Sequence, residues 1–183
     1  MSDRSTTSAD SARVVAEPVP DRVWRTPSFA FMRPRLSRWI ALGFGSGLAP
    51  AAPGTAGTLW AWAAFLALDP VLSDAGWWLA IAAGFAIGVW ACGRTGRDLG
   101  VSDHSGMVWD EVIAFWAVLL LVPAGWVSQL VAFLLFRAFD VLKPPPIRQV
   151  DRRLKGGFGV MADDAIAAFY TVLVIALWVA VFG

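Results

Sequence analysis

The sequence predicts an all-α fold: a polytopic membrane helical bundle of four to five transmembrane helices, preceded by a short re-entrant or interfacial N-terminal helix. Three observations predict it. First, 57% of the 183 residues are hydrophobic and 16% are charged, where a soluble domain has about 45–50% and about 25%. A soluble chain of this size could not hide so much apolar surface from water. Second, there are eleven tryptophans against one tyrosine, and tryptophan favours the water–lipid boundary. Third, the positive charges are segregated along the chain in register with the apolar segments.

Residues 1–34 are rich in Ser, Thr, Asp, Arg and Pro and are expected to form a disordered cytoplasmic tail. They lack the apolar core of a cleaved signal peptide. Residues 35–183 are then the membrane-embedded domain. Leu36–Leu48 is too short to span. A Gly/Pro/Ala loop to Gly57 follows. Five apolar segments come next, at about 58–72, 77–92, 107–122, 126–142 and 164–182. Most fall short of the roughly 20 residues of a straight span, a deficit that local thinning or flanking residues can cover. The connections Asp69–Gly76 and Pro123–Gly125 are short enough to join antiparallel neighbours.

Seven arginines precede the first segment, two follow the second, and six Lys or Arg lie at or after the end of the fourth. With five spans, all fifteen fall on one side, and the positive-inside rule makes that side the cytoplasm. Net charge is +1, so bulk charge gives no reason to expect a nucleic-acid partner. The single Cys92 excludes an internal disulfide and a cysteine zinc cluster. The single His104 excludes multi-histidine metal sites.

Five carboxylates gather at three segment ends on that same face: Asp110 and Glu111, Asp140, and Asp163 with Asp164. Carboxylates at membrane depth are costly and mark function. Clustered without a partner they repel one another and take up protons. A hard divalent cation removes that conflict, and Mg²⁺ binds through a few carboxylates while keeping positions for substrate phosphate. Arg137 and Lys143 flank Asp140 and can clamp a phosphoryl group. Thr55 in the Gly-rich loop, and Thr58 just after it, are further candidate phosphate contacts. The plainer alternatives are that Asp110 and Asp163 are helix N-caps, that Thr55 and Thr58 cap the first span, and that Arg137, Asp140 and Lys143 form an ion-pair ladder at i, i+3, i+6. Gly54 and Gly57 have the simple reading of letting helices approach. His104 reads as a loop histidine before a general base. Cys92 reads as a buried apolar residue.

Two vanadium-haloperoxidase-type histidines, a haloacid-dehalogenase Asp-x-Asp pair and the spaced Asp-Gly-Ala-Arg run of CDP-alcohol phosphotransferases are all absent. Four motifs do match a known pattern, in order, between Leu42 and Tyr170. They are Pro-Gly-Thr-Ala-Gly at 53–57, Asp103-His104 with Val-Trp-Asp-Glu at 108–111, Phe-Arg-Ala-Phe-Asp-Val-Leu-Lys-Pro-Pro-Pro at 136–146, and Gly-Gly-Phe-Gly-Val-Met-Ala-Asp-Asp at 156–164. Together they resemble the phosphatidylglycerophosphatase A family. The chain departs from the family at Gly57-Thr58, Ala114-Phe115 and Ala167-Ala168, which are packing positions.

The resemblance implies a Mg²⁺-dependent phosphatase of the bacterial inner membrane that hydrolyses phosphatidylglycerophosphate to phosphatidylglycerol and phosphate. Its partner would be the phospholipid substrate in the membrane. It carries Asp110, Glu111, Arg137, Asp140, Lys143, Asp163 and Asp164 over as site residues. All five carboxylates are candidates for both the metal and the catalytic step, with Asp110 or Asp164 as base and Arg137, Lys143 and Thr55 on the phosphate. The rival from another class is a divalent-cation transporter or channel lined by carboxylates, which would place them near mid-bilayer. A non-catalytic assembly subunit would leave the paired carboxylates unexplained.

Overall fold

The structure is a computed structural model that describes residues 26–182. Residues 1–25 of the expected tail lie outside the described residues. The described residues form eight α-helices and no strand: α1 (Phe29–Met32), α2 (Leu36–Ala41), α3 (Pro53–Leu68), α4 (Asp74–Leu99), α5 (Trp109–Leu121), α6 (Trp126–Leu142), α7 (Ile147–Arg153) and α8 (Gly156–Phe182). A 3₁₀ turn at Gly43–Leu48 links α2 to α3.

Local chemistry sets most boundaries. Pro53 occupies the first turn of α3, where its missing N–H costs nothing. Ser73 caps α4 by accepting from the Gly76 N–H at 3.2 Å. Gly100, at φ 76°, ends α4 in the left-handed conformation that glycine adopts without strain. Lys143 ends α6 with φ 44°, and Pro144–Pro146 prevent the helix from continuing.

Helices α3, α4, α5, α6 and α8 run alternately up and down. The start of α3, the end of α4, the start of α5, the end of α6 and the start of α8 share one end of the bundle. Helix α5 is the axis: ten of its residues, Trp109 to Phe115 without a break among them, are buried, and it packs on α3, α4, α6 and α8. Helix α6 lies outermost, with only Ala132 and Phe136 buried. The bundle exterior is apolar, with Trp78, Leu79, Trp90, Leu134, Leu177 and Trp178 all exposed. Helices α4 and α8 are long and apolar enough to cross a membrane. An exterior of this kind belongs in lipid, and the protein is membrane-associated.

Three expected boundaries move. Helix α3 begins at Pro53 and ends at Leu68 rather than running over about 58–72, because Pro53 starts the helix inside the expected loop, so Gly54, Thr55 and Gly57 are helical. Helix α4 continues past Cys92 to Leu99, so Arg94, Arg97 and Asp98 are helical. Helix α8 begins at Gly156, eight residues before the expected start. The run Gly156–Gly159 reads as a loop in sequence, yet two of its glycines serve close packing. A Cβ at Gly157 would overlap the Val89 carbonyl and stand 2.7 Å from the Gly93 nitrogen, and one at Gly159 would overlap the Leu154 carbonyl. The family departures Ala114, Phe115, Ala167 and Ala168 are all buried, as packing positions should be.

The N-terminal part of the domain is tied down by charge. Arg35 and Arg38 both pair with Asp98, at 2.9 and 3.0 Å, fixing α2 to α4. The Val108 N–H donates to the Ala41 carbonyl at 2.9 Å, which fixes the start of α5 to the end of α2. Residues 26–34 include α1, with Met32 buried.

Candidate active site

Four helix segments meet at one end of the bundle. Asp110 and Glu111 lie in the first turn of α5. Arg137 and Asp140 lie in the last turns of α6, with Lys143 as its C-cap. Asp163 and Asp164 project from α8, two turns after its start. Gly54 and Thr58 present the first turns of α3.

The capping alternatives fail here. Val108, not Asp110, is the N-cap of α5, and it makes no side-chain cap. Asp163 is the eighth residue of α8, too deep to cap anything. Ala52 is the N-cap of α3, so neither Thr55 nor Thr58 holds that position. The ladder is half present: Arg137 Nη1 meets Asp140 Oδ2 at 2.7 Å, but Lys143 turns away to α8 and α7.

Asp110, Glu111 and Asp164 form the centre. Each offers an oxygen, and these oxygens lie within 4.8 Å of one another. All three residues are at least nine-tenths buried. Asp140 and Asp163 stand beside this triad, each held by a cation. Arg137 Nη1 donates to Glu111 Oε1 at 3.2 Å as well as pairing with Asp140, and lies 3.5 Å from Thr58 Oγ1. Lys143 Nζ pairs with Asp163 Oδ2 and, at 3.4 Å, with Asp151 Oδ1 of α7.

Five carboxylates thus face two cations, and neither cation pairs with Asp110 or Asp164. Four buried oxygens, Asp110 Oδ1, Glu111 Oε2, Asp163 Oδ1 and Asp164 Oδ2, have no hydrogen-bond partner. Buried carboxylates left in that state are strongly unfavourable. A hard divalent cation fits the donor set: oxygen ligands only, three of them convergent, with free lone pairs.

Lys143 lies at the mouth of the site. Burial disfavours its ammonium, but the hydrogen bond and charge of Asp163, with Asp151 and Asp103 behind it, outweigh burial. The net effect raises its pKa above the ordinary lysine value. It is a fixed positive charge at any physiological pH.

Thr55 is half-buried in the first turn of α3, and no side-chain hydrogen bond ties it down. His104 shapes its loop, with Nδ1 accepting from the Gly106 N–H at 3.0 Å. Cys92 is fully buried. Gly54 and Asp151 were not expected as site residues, and Thr58 was expected as a cap or a phosphate contact. Gly54 packs against Glu111 and Arg137, Thr58 adjoins Arg137, and Asp151 reaches Lys143. For Gly54 and Thr58 the signal was their four-residue spacing on one helix face. Asp151 carried no signal, because the proline-rich turn between α6 and α7 breaks every periodicity.

The chain is similar to known proteins over most of its length. The family model described as phosphatidylglycerophosphatase A matches residues 39–179. The phosphatidylglycerophosphatase A of Haemophilus influenzae is 44% identical over 137 residues, covering 74% of this chain and 84% of that one. That of Escherichia coli is 43% identical over 129 residues, covering 70% and 74%. A Bacteroides thetaiotaomicron protein provisionally named a phosphatidylinositol-3-phosphatase is 40% identical over 149 residues, covering 76% and 92%. No solved structure matches the chain significantly. Identity at this level over most of both chains leaves one conclusion: the chain belongs to the phosphatidylglycerophosphatase A family.

Proposed function

We propose that this protein hydrolyses the phosphomonoester of phosphatidylglycerophosphate, releasing phosphatidylglycerol and inorganic phosphate. The observation that carries the chemistry is the buried triad Asp110, Glu111 and Asp164, with unpartnered oxygens, beside Arg137 and next to the Lys143–Asp163 pair. Family membership supplies the substrate. A transport role is not favoured, since the carboxylates cluster at one end of the bundle rather than along a path through it.

The triad is the proposed Mg²⁺ site, with Asp140 and Asp163 beside it. When bound, Mg²⁺ supplies Lewis-acid polarisation of the phosphoryl group and makes nearby water more acidic. The protein's own groups do the rest. Arg137 has a buried Nε without a partner, and that N–H is free to donate to a phosphoryl oxygen. Lys143, paired with Asp163 and Asp151, has a donor to spare. Both offset the charge that builds on the phosphoryl oxygens in the transition state. Thr55, with an unengaged hydroxyl on the first turn of α3, is the third phosphate contact.

Among the described residues, Asp163 Oδ1 is the buried carboxylate oxygen outside the triad that has no hydrogen-bond partner, and we assign it the proton of the attacking water. The water oxygen bonds to phosphorus and the ester P–O bond breaks. The proton then passes to the departing head-group oxygen, which leaves as the alcohol.

We further propose that α3, α4, α5, α6 and α8 all cross the bacterial inner membrane, with the site at its cytoplasmic face. The segregation of all fifteen Lys and Arg in the sequence, which five crossings would put on one side, supports this. The acyl chains then stay in lipid while the head group enters between α5, α6 and α8.

The deciding experiment is phosphate release from phosphatidylglycerophosphate in detergent micelles, with Mg²⁺ and with EDTA. Phosphatidylinositol 3-phosphate is the comparison substrate, because one relative carries that name. Mg²⁺-dependent release from phosphatidylglycerophosphate with a higher kcat/KM than from the inositide is expected. The reverse preference would reassign the head group, and no release from folded protein would overturn the reading.

A further inference from the structure

We propose that Asp151, on the short helix α7, is a positioning residue for phosphate recognition that acts through Lys143. This rests on the reading of Lys143 as a phosphate-binding cation.

Lys143 is the C-cap of α6, with φ 44° and ψ 60°. L side chains rarely adopt this conformation, and the following Pro144 restricts its backbone further. The backbone is therefore fixed, and only the four-carbon stem decides where the ammonium goes. Two carboxylates make that choice. Asp163 is deeply buried, with a side chain 5% exposed, and draws Nζ inward. Asp151 is 36% exposed and holds Nζ outward at 3.4 Å. Between them the ammonium stops at the boundary of the carboxylate chamber, itself 25% exposed. Without Asp151 the outward pull falls to Asp103, which is exposed and makes no ion pair with Nζ, while the bond to buried Asp163 stays. Nζ would then sink toward Asp163 and the carboxylates beside it.

Donor counting points the same way. An ammonium has three N–H donors. One goes to Asp163 and one faces Asp151. The third remains for a phosphoryl oxygen.

Asp151 is well placed to act as an anchor. Ile147 at the start of α7 is fully buried, and α7 packs along α8, the helix that carries Asp163. Lys155 Nζ donates to the Asp151 backbone carbonyl at 2.8 Å, so it steadies the end of α7 and leaves the carboxylate to Lys143.

The test is steady-state kinetics of the full-length protein in detergent at saturating Mg²⁺, comparing wild type with D151N, D151E, K143M and the double variant K143M/D151N. Thermal unfolding confirms that each is folded. Asp151→Asn should raise KM for the phospholipid about fivefold with kcat within about twofold, the size expected of a partly exposed ion pair. Asp151→Glu should restore KM, and K143M/D151N should be no worse than K143M. Unchanged KM in D151N beside an impaired K143M overturns the role of Asp151 and spares that of Lys143. Additive losses in the double variant overturn it too, since Asp151 would then act independently. Unchanged kinetics in K143M would remove Lys143 from the site and the proposal with it.

Discussion

Gly54 and Glu111 touch where α3 meets α5. A Cβ at position 54 would overlap Glu111 Oε1 and stand 2.8 Å from Arg137 Nη2. The absence of a side chain on α3 therefore allows the Glu111–Arg137 pair to form. Gly54→Ala should push both side chains out of register with Asp140. We expect a loss of about 1–3 kcal/mol in stability from overpacking and at least about a tenfold fall in kcat/KM. Thermal unfolding and phosphate-release assays measure the two. Full activity in a folded Gly54→Ala protein would show that the pair is not needed in this geometry.

The triad predicts a metal-dependent stability. With Mg²⁺ at about 100 times its dissociation constant, wild type should melt about 5–10 °C higher than in EDTA. Asp164→Asn should abolish that increment. In EDTA the same variant should melt no lower than wild type, because one of three crowded buried charges has become a neutral amide. Differential scanning fluorimetry reads both effects. A Mg²⁺ increment that survives in D110N, E111Q and D164N alike would place the ion elsewhere.

Lys143 gives a pH prediction. Its folded pKa is raised above the lysine value of about 10.4. A raised pKa contributes stability that is complete below the unfolded pKa and lost as pH rises through the folded one. The difference in melting temperature between wild type and K143M should therefore be constant from pH 7 to about 9.5. It should shrink only beyond about 10.4. A difference that disappears near neutrality would mean that Lys143 is not held by Asp163.

How far the sequence shows all this depends on the residue. Helix α5 was legible because its apolar run is unbroken and Asp110-Glu111 marks its start. The gathering of five carboxylates at one end followed from counting segments and charges. The depth of Asp163 in α8 was not legible, because the glycines at 157 and 159 read as loop residues. Only the folded structure shows that Gly157 lets α8 pack against the Val89 carbonyl of α4 and that Gly159 clears the Leu154 carbonyl just before α8. The division of the carboxylates was equally hidden. Asp163 and Asp164 are adjacent in sequence, yet one meets Lys143 and the other faces Asp110 and Glu111. Helical geometry turns neighbours about 100° apart, and which neighbour faces which wall is a matter of packing. Gly54 and Asp151 are the extreme cases, since their importance lies wholly in what they touch.

Whether α5 and α6 cross the membrane can be settled by labelling, and one residue decides it. At about 1.5 Å per residue, α4 and α8 are each about 40 Å long, whereas α5 is about 20 Å against a hydrocarbon core of about 30 Å. Helix α5 is short, but it is the buried axis of the bundle and need not face lipid along its length. Ala124, in the exposed connection between α5 and α6, reports on it. If all five long helices cross, Ala124→Cys lies on the same side as Ser73→Cys, opposite Ser102→Cys and Gln149→Cys. If only α4 and α8 cross, Ala124→Cys lies with Ser102→Cys and Gln149→Cys. Cys92, fully buried, can be left in place. A membrane-impermeant maleimide applied to intact spheroplasts should label Ser73→Cys and Ala124→Cys and spare the other two until the membrane is opened. Labelling of Ser73→Cys alone would remove α5 and α6 from the crossings, and they would then enter and leave the bilayer from the cytoplasmic side.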